Sequence, residues 1–190
     1  MKYFPNPPFK YGRKYCQHDE ENIILSIFDY IGHGNTLCDI GARLLLSNSY
    51  RLINEYGYTG LLIDADPVEC DRLRGKVGNR AEVIEKKITI GNVNDYVGDV
   101  DFLSIDIDSN DWWIWAVIKA KPRIVCIEFN NNLSGLVIRD YDENLKKSND
   151  NNASFDAMIL LGELKGYKLI AQTGVNAIFV LEEAWRGTRK

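Results

Sequence analysis

The chain has 190 residues, of which 45% are hydrophobic and 26% charged, so it can bury a sizeable core and a disordered protein is excluded. Its net charge of −4 and isoelectric point near 5.3 argue against a protein whose main role is to bind nucleic acid. No run approaches the roughly 18 uncharged apolar residues of a membrane span. The N-terminal sequence lacks the apolar core of a signal peptide, so we expect a cytoplasmic protein without a membrane partner.

The first 18 residues are predicted to form an N-terminal arm, separate from a single domain over residues 19–190. Residues 1–17 carry four lysine or arginine side chains, five aromatic ones and no acidic one. The arm could contact an anionic or aromatic substrate, or pack its rings across the domain, which is how termini become ordered. We favour the packing role.

The four cysteines are scattered without a Cys-x-x-Cys pair. They are Cys16, Cys38, Cys70 and Cys126. Because metal ligands usually cluster in sequence, we expect buried free thiols in a reducing compartment rather than a zinc site or a disulfide.

The first half of the chain alternates helices and strands. The predicted helices run from a cap at Asp19 to Gly32, from the turn at Gly41 to about Tyr56, and from Pro67 to about Lys76. The predicted strands are 36–40, 60–64 and 82–86. An irregular segment follows over residues 88–98.

The second half repeats the alternation and then ends in a hairpin. The predicted strands are 100–106, 123–129, 167–172 and 177–181, and the predicted helices are 112–119 and a segment from a cap at Ser154 to Gly166. Residues 130–152 are polar and aperiodic, which indicates a long loop over one sheet edge. Repeated strand–helix–strand units predict a mainly parallel sheet with helices on both faces.

Acidic residues end the first two strands. In LCDIGA, Asp39 is followed by Gly41, which lets the backbone turn sharply and approach a ligand. In LLIDADP, Asp64 is the first candidate and Asp66 the second for an acid that binds ribose hydroxyls. Each acid could instead cap a helix. The absence of GxGxxG argues against NAD or FAD.

The fourth strand ends in three carboxylates, at Asp106, Asp108 and Asp111. All three, with Glu128 and Asn130 from the next strand, offer enough oxygen ligands for Mg²⁺ or Ca²⁺. Against a metal, Asp106 and Asp108 alternate along a strand and would point to opposite faces unless the strand has ended. Asp108 and Asp111 could also cap the following helix. A metal held by Asp106, Asp108 and Glu128 is therefore the less favoured interpretation.

Seven runs of the sequence carry a resemblance to a known family. They are YCQHDEENII, LCDIGA, SNSYRLI, GYTGLLIDADP, VDFLSIDIDSNDWWIW, PRIVCIEFN and GYKLIAQTGVNAIFV. In this order and spacing they resemble the FkbM-like branch of S-adenosylmethionine-dependent methyltransferases, over about residues 15–182. The resemblance implies a Rossmann-like class I methyltransferase fold, with seven strands that end in an antiparallel hairpin, and S-adenosylmethionine as the cofactor.

The resemblance also implies roles for residues near the strand ends. Asp39 and Gly41 fall on the first cofactor motif, where the acid faces the methionine amino group, and Asn48 falls on the Ser-Asn dipeptide of the cofactor site. Asp64 falls on the acid that binds the ribose. The other implied positions are Ile88 and Thr89 beside the adenine, Asp106 beside the methionine moiety and the acceptor, and Glu128 and Asn130 on the acceptor side.

One departure from the family pattern concerns the loop after Gly41. Relatives tend to carry an Asp-Gly pair before the Ser-Asn dipeptide, whereas this chain runs GARLLLSNS, with Leu44–Leu46 in a shortened loop. A non-catalytic binding or interaction protein that keeps the fold is therefore the alternative to an enzyme.

The expected reaction is O-methylation of a sugar or another small hydroxylated acceptor, which requires a positioned nucleophile and sometimes a base. Asp106 and Asp108 are the candidates for orienting the hydroxyl, and His18 is a candidate base. Trp112 could form an aromatic wall for the acceptor, although core packing is the favoured interpretation. A divalent cation such as Mg²⁺ and a homodimer are left open.

Overall fold

A seven-stranded sheet forms the centre of the structure, a computed structural model that describes residues 15–44, 47–145 and 152–186. The strands are β1 Thr36–Ile40, β2 Thr59–Asp64, β3 Glu82–Glu85, β4 Phe102–Ile105, β5 Ile124–Glu128, β6 Tyr167–Gln172 and β7 Asn176–Leu181. Their order is β3-β2-β1-β4-β5-β7-β6, with β1–β5 parallel to one another and β7 antiparallel to both β5 and β6. The predicted parallel sheet and terminal hairpin are confirmed.

Helices cover both faces of the sheet. They are α1 Glu20–Ile31, α2 Tyr50–Tyr56, α3 Pro67–Val77, α4 Asp111–Val117, α5 Phe155–Leu164 and α6 Glu182–Arg186, with a 3-10 turn at Val93–Asp95. Side chains of α1, α2, α3 and α6 pack in one apolar core, and those of α4 and α5 pack in the other. Because successive strand residues point to opposite faces, β1 and β5 contribute to both cores.

The alternation of the strands also assigns the acids at their ends to one face. In β2, Leu62 packs in the core of α1 and Ile63 in the core of α4, so Asp64 returns to the α1 face. In β5, Cys126 and Ile127 alternate in the same way before Glu128. The carboxyl edge of the sheet thus carries its acids on a common side.

The loop after β1 differs from the sequence expectation. We predicted a helix soon after Gly41, but α2 begins only at Tyr50. The hydroxyl of Ser47 accepts hydrogen bonds from the backbone N–H groups of Ser49 and Tyr50, at 3.2 and 3.0 Å, and so directs the chain into the helix. Just before the helix, Asn48 donates to the hydroxyl of Ser104 at 3.3 Å and Ser49 donates to the carboxylate of Asp39, so these side chains bond to strand residues.

Two of the predicted helix caps form. Asp66 accepts a hydrogen bond from the backbone N–H of Val68 at 2.9 Å, and Ser154 accepts one from Ala157 at 3.3 Å. Asp19 precedes α1 as expected, but its carboxylate accepts from the side chain of Asn22 at 3.1 Å.

The four cysteines are buried and free, as predicted. Residues 1–14 of the predicted N-terminal arm lie outside the described residues, and Tyr15, which is described, packs its ring edge-on against Tyr50 at 4.9 Å. Within the described ranges, no helix combines the length and the apolar character that a bilayer crossing requires.

Candidate functional site

Two cavities open at the carboxyl ends of the parallel strands, where ligands bind in open α/β sheets. Both are lined by Gly41, so they meet at the turn after β1. The first has a volume of about 380 Å³ and extends from β1 towards β2 and the segment after β3. The second, of about 230 Å³, extends from β1 towards β4 and β5.

Gly41 brings the backbone close to the strand ends. Its φ of +83° lies in the left-handed region, and a Cβ at this position would overlap the carbonyl oxygen of Asp106. Its N–H donates to the carbonyl of Ile63 at 2.8 Å, which fastens the turn to β2. Only glycine fits at this position of the turn, as the sequence predicted.

The first cavity combines a buried carboxylate with apolar walls. Asp64 is 2% exposed and accepts a hydrogen bond from the backbone N–H of Asp66 at 2.7 Å. Ile63, Ile88 and Ile107 line the cavity around it. An acid beside isoleucine walls suits a ligand that has hydroxyl groups and a flat apolar ring.

The polar segment after β5 closes one side of the first cavity. Asn110 donates through Nδ2 to the carbonyl of Asp142 at 2.9 Å and accepts from its N–H at 3.4 Å, and the Lys87 ammonium donates to the carbonyl of Glu143. Tyr141 and Leu145 line the cavity as a result. The long loop therefore crosses the sheet edge, as expected, and its described residues form part of the cavity wall.

Asp39 lies in the lining of the second cavity and is 3% exposed. The hydroxyl groups of Ser49 and Ser104 donate to its carboxylate. Burial nevertheless raises the pKa of Asp39 to about 6, and the negative charge of Asp64 adds to the rise. Asn48, in the same lining, donates to the hydroxyl of Ser104 at 3.3 Å.

Three carboxylates face the second cavity together. One oxygen each of Asp106, Asp108 and Glu128 lies within 4.8 Å of the others. Burial, with the repulsion of the neighbouring acids, raises the pKa of Asp106 to about 8 and that of Glu128 to about 9. Asp108, at a φ of +62°, forms an ion pair with Arg43 at 2.9 Å. These three carboxylates are called the acid cluster below.

The positive φ of Asp108 bears on one sequence argument. Strand alternation would have sent Asp106 and Asp108 to opposite faces, but β4 ends at Ile105 and the chain turns before Asp108. The two side chains therefore meet in one cavity. The strand has ended before Asp106, which is the case in which the sequence argument against their joint action does not apply.

Asp111 and Asn152 are buried next to the acid cluster and form hydrogen bonds with the chain around it. Asp111 is fully buried and accepts from the N–H groups of Ile107 and Ser109, at 2.9 and 3.1 Å. Both donors precede α4, so Asp111 stabilises the turn after β4 and does not form the helix cap that the sequence suggested. Asn152, also fully buried, donates through Nδ2 to Asp111 at 3.0 Å and to the carbonyl of Glu128 at 3.1 Å. Sequence reasoning missed Asn152, because one asparagine in an asparagine-rich loop gives no distinguishing signal.

The raised pKa values of the acid cluster predict a pH-dependent stability. An acid whose folded pKa lies above its unfolded value stabilises the protein below the unfolded pKa, and this contribution is lost as pH rises through the folded pKa. Glu128 and Asp106 thus lower the stability of the fold progressively from about pH 4, where the unfolded carboxyls ionise, to about pH 8 and 9, where the folded ones do. We expect the free energy of unfolding to fall by at least about 3 kcal/mol over this range, and Tm by roughly 10 °C or more in thermal melts.

The matched variants for this prediction are Glu128→Gln and Glu163→Gln. The first removes an ionisable group from the cluster and should reduce the fall in the free energy of unfolding with rising pH. The variant should therefore be more stable than the unmodified protein at pH 9. The second makes the same chemical change at an exposed position of α5 and should keep the original slope. Equal slopes in all three proteins would contradict the assignment of the decline to Glu128.

Other residues predicted to bind the cofactor are exposed, lie in turns or line the first cavity. Asp66 is exposed and caps α3, in agreement with the capping interpretation. Thr89 accepts from Gly91 through its hydroxyl at 3.3 Å and belongs to the turn before the 3-10 helix, whereas its neighbour Ile88 lines the first cavity. Leu45 and Leu46 of the shortened loop lie outside the described residues.

The remaining acceptor-side candidates have structural contacts. His18 packs against Gly174 in the β6–β7 turn, and its neighbour Gln17 lines the second cavity. The indole N–H of Trp112 donates to the carbonyl of Ala157 at 3.2 Å, and its side chain packs on the α4–α5 core, the interpretation favoured from sequence. Asn130 accepts through Oδ1 from the N–H of Asn132 at 2.9 Å. Roles of these residues in catalysis or binding remain predictions.

Comparison with known proteins gives structural matches only. No family model matches the chain, and neither does any curated protein. The N-terminal domain of EvdMO1, solved in the presence of S-adenosylhomocysteine and D-fucose, aligns with a TM-score of 0.54 and 11% identity over 91% of this chain and 90% of that one. The methyltransferase domain of bacterial CtHen1 aligns with a TM-score of 0.53 and 11% identity over 86% of this chain and 98% of that one.

A third match is 1,6-didemethyltoxoflavin-N1-methyltransferase of Burkholderia thailandensis. It aligns with a TM-score of 0.51 and 12% identity over 86% of this chain and 77% of that one, and its structure holds 1,6-didemethyltoxoflavin and S-adenosylhomocysteine. At these identities the alignments show a shared fold. The fold is the Rossmann-like class I methyltransferase fold, as the sequence resemblance implied.

Proposed function

We propose that this protein is an S-adenosylmethionine-dependent methyltransferase of the FkbM-like branch. The observation that carries the proposal is the first cavity, in which buried Asp64 ends β2 beside the close backbone passage at Gly41. Solved neighbours of the same fold contain S-adenosylhomocysteine, the product that the cofactor leaves after methyl transfer.

The residues of the first cavity fit the adenosine part of S-adenosylmethionine. Asp64 can accept hydrogen bonds from both ribose hydroxyls, and Ile88 and Ile107 offer apolar surface to the adenine. The volume of about 380 Å³ is within the usual range for a small-molecule site. Asp39 and Gly41 then face the methionine part where the two cavities meet.

The second cavity would hold the methyl acceptor. Its volume of about 230 Å³ suits a small molecule, and its lining is rich in carboxylates, hydroxyls and amides that bind hydroxyl groups. We therefore retain a sugar or another small hydroxylated molecule as the acceptor class. Asp106 and Asp108 would orient the acceptor, while S-adenosylmethionine supplies the electrophilic methyl group when bound.

A divalent cation at the acid cluster is a separate part of the proposal and the weaker one. The oxygen atoms of Asp106, Asp108 and Glu128 are close enough to share an ion of the size of Ca²⁺. Arg43, however, already pairs with Asp108 and would repel a divalent cation.

Isothermal titration calorimetry tests the proposed cofactor. We expect saturable binding of S-adenosylmethionine and S-adenosylhomocysteine, with one site per chain, and much weaker binding of NADH, which needs a pyrophosphate cradle that the sequence lacks. Absence of binding by both adenosyl compounds to the folded protein would contradict the proposal. It would favour the alternative, a binding or interaction protein that keeps the fold without the cofactor.

A further inference from the structure

Part of the long loop after β5 is fastened to both sides of the first cavity. This part, residues 139–145, is called the strap below. On the β4 side, the indole N–H of Trp113 and the amide of Asn110 donate to backbone carbonyls of the strap, at 2.8 and 2.9 Å. On the β3 side, the Lys87 ammonium donates to a third backbone carbonyl of the strap. The strap thus bridges the segments that flank the cavity.

Tyr141 lies in the middle of the strap and lines the first cavity. Its side chain is half-buried, and its ring centroid lies 6.4 Å from that of Trp113, edge to face. The hydroxyl oxygen is shielded from solvent and has no hydrogen-bond partner among the residues that the structure describes. The backbone of Ile90 approaches it without a hydrogen bond of normal geometry. A shielded hydroxyl without a partner has a cost in free energy that a ligand group can remove.

The segment after β3 connects Asp64 with Tyr141 along the wall of the first cavity. It begins beside Asp64, whose backbone carbonyl accepts from the N–H of Lys86 at 2.8 Å. It continues through Ile88, which lines the cavity, and comes close to the hydroxyl of Tyr141 at Ile90. Asp64 and Tyr141 therefore lie at the two ends of this segment, with an apolar wall between them.

Adenosine has polar groups in a matching arrangement. The ribose hydroxyls are at one end of the molecule, where Asp64 would bind them. The flat base extends from the ribose, and its 6-amino group is on the edge away from the sugar. The faces of the base suit an apolar wall such as that of Ile88. The far edge of the base then meets the part of the lining that Tyr141 forms.

We propose that Tyr141 is a specificity-determining residue of the first cavity, whose hydroxyl oxygen accepts a hydrogen bond from the 6-amino group of the adenine. This inference rests on the proposed function, since it assigns a further residue to the same cofactor site. Burial raises the pKa of Tyr141, so the hydroxyl is neutral at pH 7 and its oxygen can accept. The bonds that fasten the strap hold this hydroxyl at the cavity wall.

Other polar side chains in this part of the lining are already bonded or exposed. The amide of Asn110 bonds to the backbone of the strap through both its nitrogen and its oxygen. The hydroxyl of Ser109 donates to the carbonyl of Ile107 at 3.5 Å. Glu143 is exposed, so water competes for its carboxylate. Tyr141 is thus the side chain here that gains most from a bound amino group.

Two nucleosides that differ in one group form the test. Adenosine is compared with purine riboside, which has a hydrogen atom in place of the 6-amino group, and each is titrated into the protein at pH 7. Binding is followed by amide shifts in two-dimensional NMR, which detects weak affinities. We expect adenosine to bind at least fivefold tighter. In Tyr141→Phe, which removes the hydroxyl alone, the preference should fall below twofold.

Matched variants connect this preference to Tyr141. Tyr30→Phe removes a hydroxyl from a residue of α1 that is 46% exposed and should keep the full preference for adenosine. Glu143→Gln removes the charge of the other acceptor on the strap and should keep it as well. The proposal is overturned by equal affinities of the two nucleosides, by a preference that Tyr141→Phe leaves intact, or by one that Glu143→Gln abolishes.

Thermal unfolding of the protein without ligand separates a binding role from a structural one. Because the hydroxyl of Tyr141 has no partner within the described part of the chain, Tyr141→Phe should have the same Tm as the unmodified protein or a higher one. The increase in Tm that adenosine produces should be smaller in the variant. A lower Tm of the unliganded variant would show that the hydroxyl bonds within the protein, which contradicts the proposal.

Calorimetry with S-adenosylhomocysteine on the same samples distinguishes this inference from the proposed function. Binding of that compound together with equal nucleoside affinities would refute the role of Tyr141 and leave the methyltransferase proposal in place. If S-adenosylhomocysteine does not bind, the methyltransferase proposal fails. A preference for adenosine that Tyr141→Phe abolishes would then still support Tyr141 as the residue that selects the adenine, whereas absence of binding by all three compounds would overturn both.

Discussion

Asp64→Ala is expected to weaken binding of S-adenosylhomocysteine at least 100-fold. Asp64 is 2% exposed at the wall of the first cavity, so its carboxylate would bind the ribose in a region with little water. Each hydrogen bond to a charged group contributes about 1.5–3 kcal/mol, and two ribose hydroxyls would lose theirs together. Calorimetry on the variant measures the loss, and circular dichroism verifies that it is folded.

Two controls show whether the effect belongs to Asp64. Asp71→Ala removes a carboxylate that is 79% exposed on α3 and should leave the affinity unchanged. Asp66→Ala removes the cap of α3 and should lower the free energy of unfolding by about 1 kcal/mol with a change in affinity of less than threefold. A larger loss of affinity in Asp66→Ala than in Asp64→Ala would show that the second-choice acid binds the ribose.

Gly41→Ala is expected to have the largest effect on stability among single substitutions at the site. The new Cβ would overlap the carbonyl oxygen of Asp106, a backbone atom directly after β4. The φ of +83° adds backbone strain for any residue with a side chain. Relief requires the ends of β1 and β4 to separate. We expect the free energy of unfolding to fall by more than about 3 kcal/mol in urea denaturation.

Gly57→Ala is the matched control for that substitution. Gly57 also has a positive φ, of +71°, but a Cβ there meets no atom within 4 Å. Its cost should be limited to the backbone strain, about 1–2 kcal/mol. If the two variants lose equal stability, the overlap with the carbonyl of Asp106 adds no cost. Glycine would then be required at position 41 only because of its positive φ.

The periodic part of the sequence predicted most of the sheet. Strands such as β1 and β6 have the predicted bounds because runs of apolar residues between turn signals are a local property. The short helix α6 was missed, since five residues are too few to show a helical period. It is stabilised by distant contacts instead, among them the ring of Trp185 against Tyr30 at 4.5 Å.

The strand-end acids of the candidate site were also predictable, because they are placed by local apolar runs in the sequence. Asp39, Asp64 and Glu128 each follow an apolar run, and parallel strands bring their carboxyl ends to one edge. The sheet order then decided that Asp39 lies between the other two, because β1 pairs with both β2 and β4. Strand order depends on packing between segments, which one-dimensional periodicity does not encode.

By itself, the sequence determined the strands, most of the helices and the acids that reach the sheet edge, because these follow from local spacing. The tertiary structure decided which of those acids act together. Asp108 joins Asp106 through a turn with positive φ, and Asn152 bonds to Glu128 across 24 positions of sequence. Such contacts depend on how loops close over the sheet, and that closure is set by the packing of the whole fold.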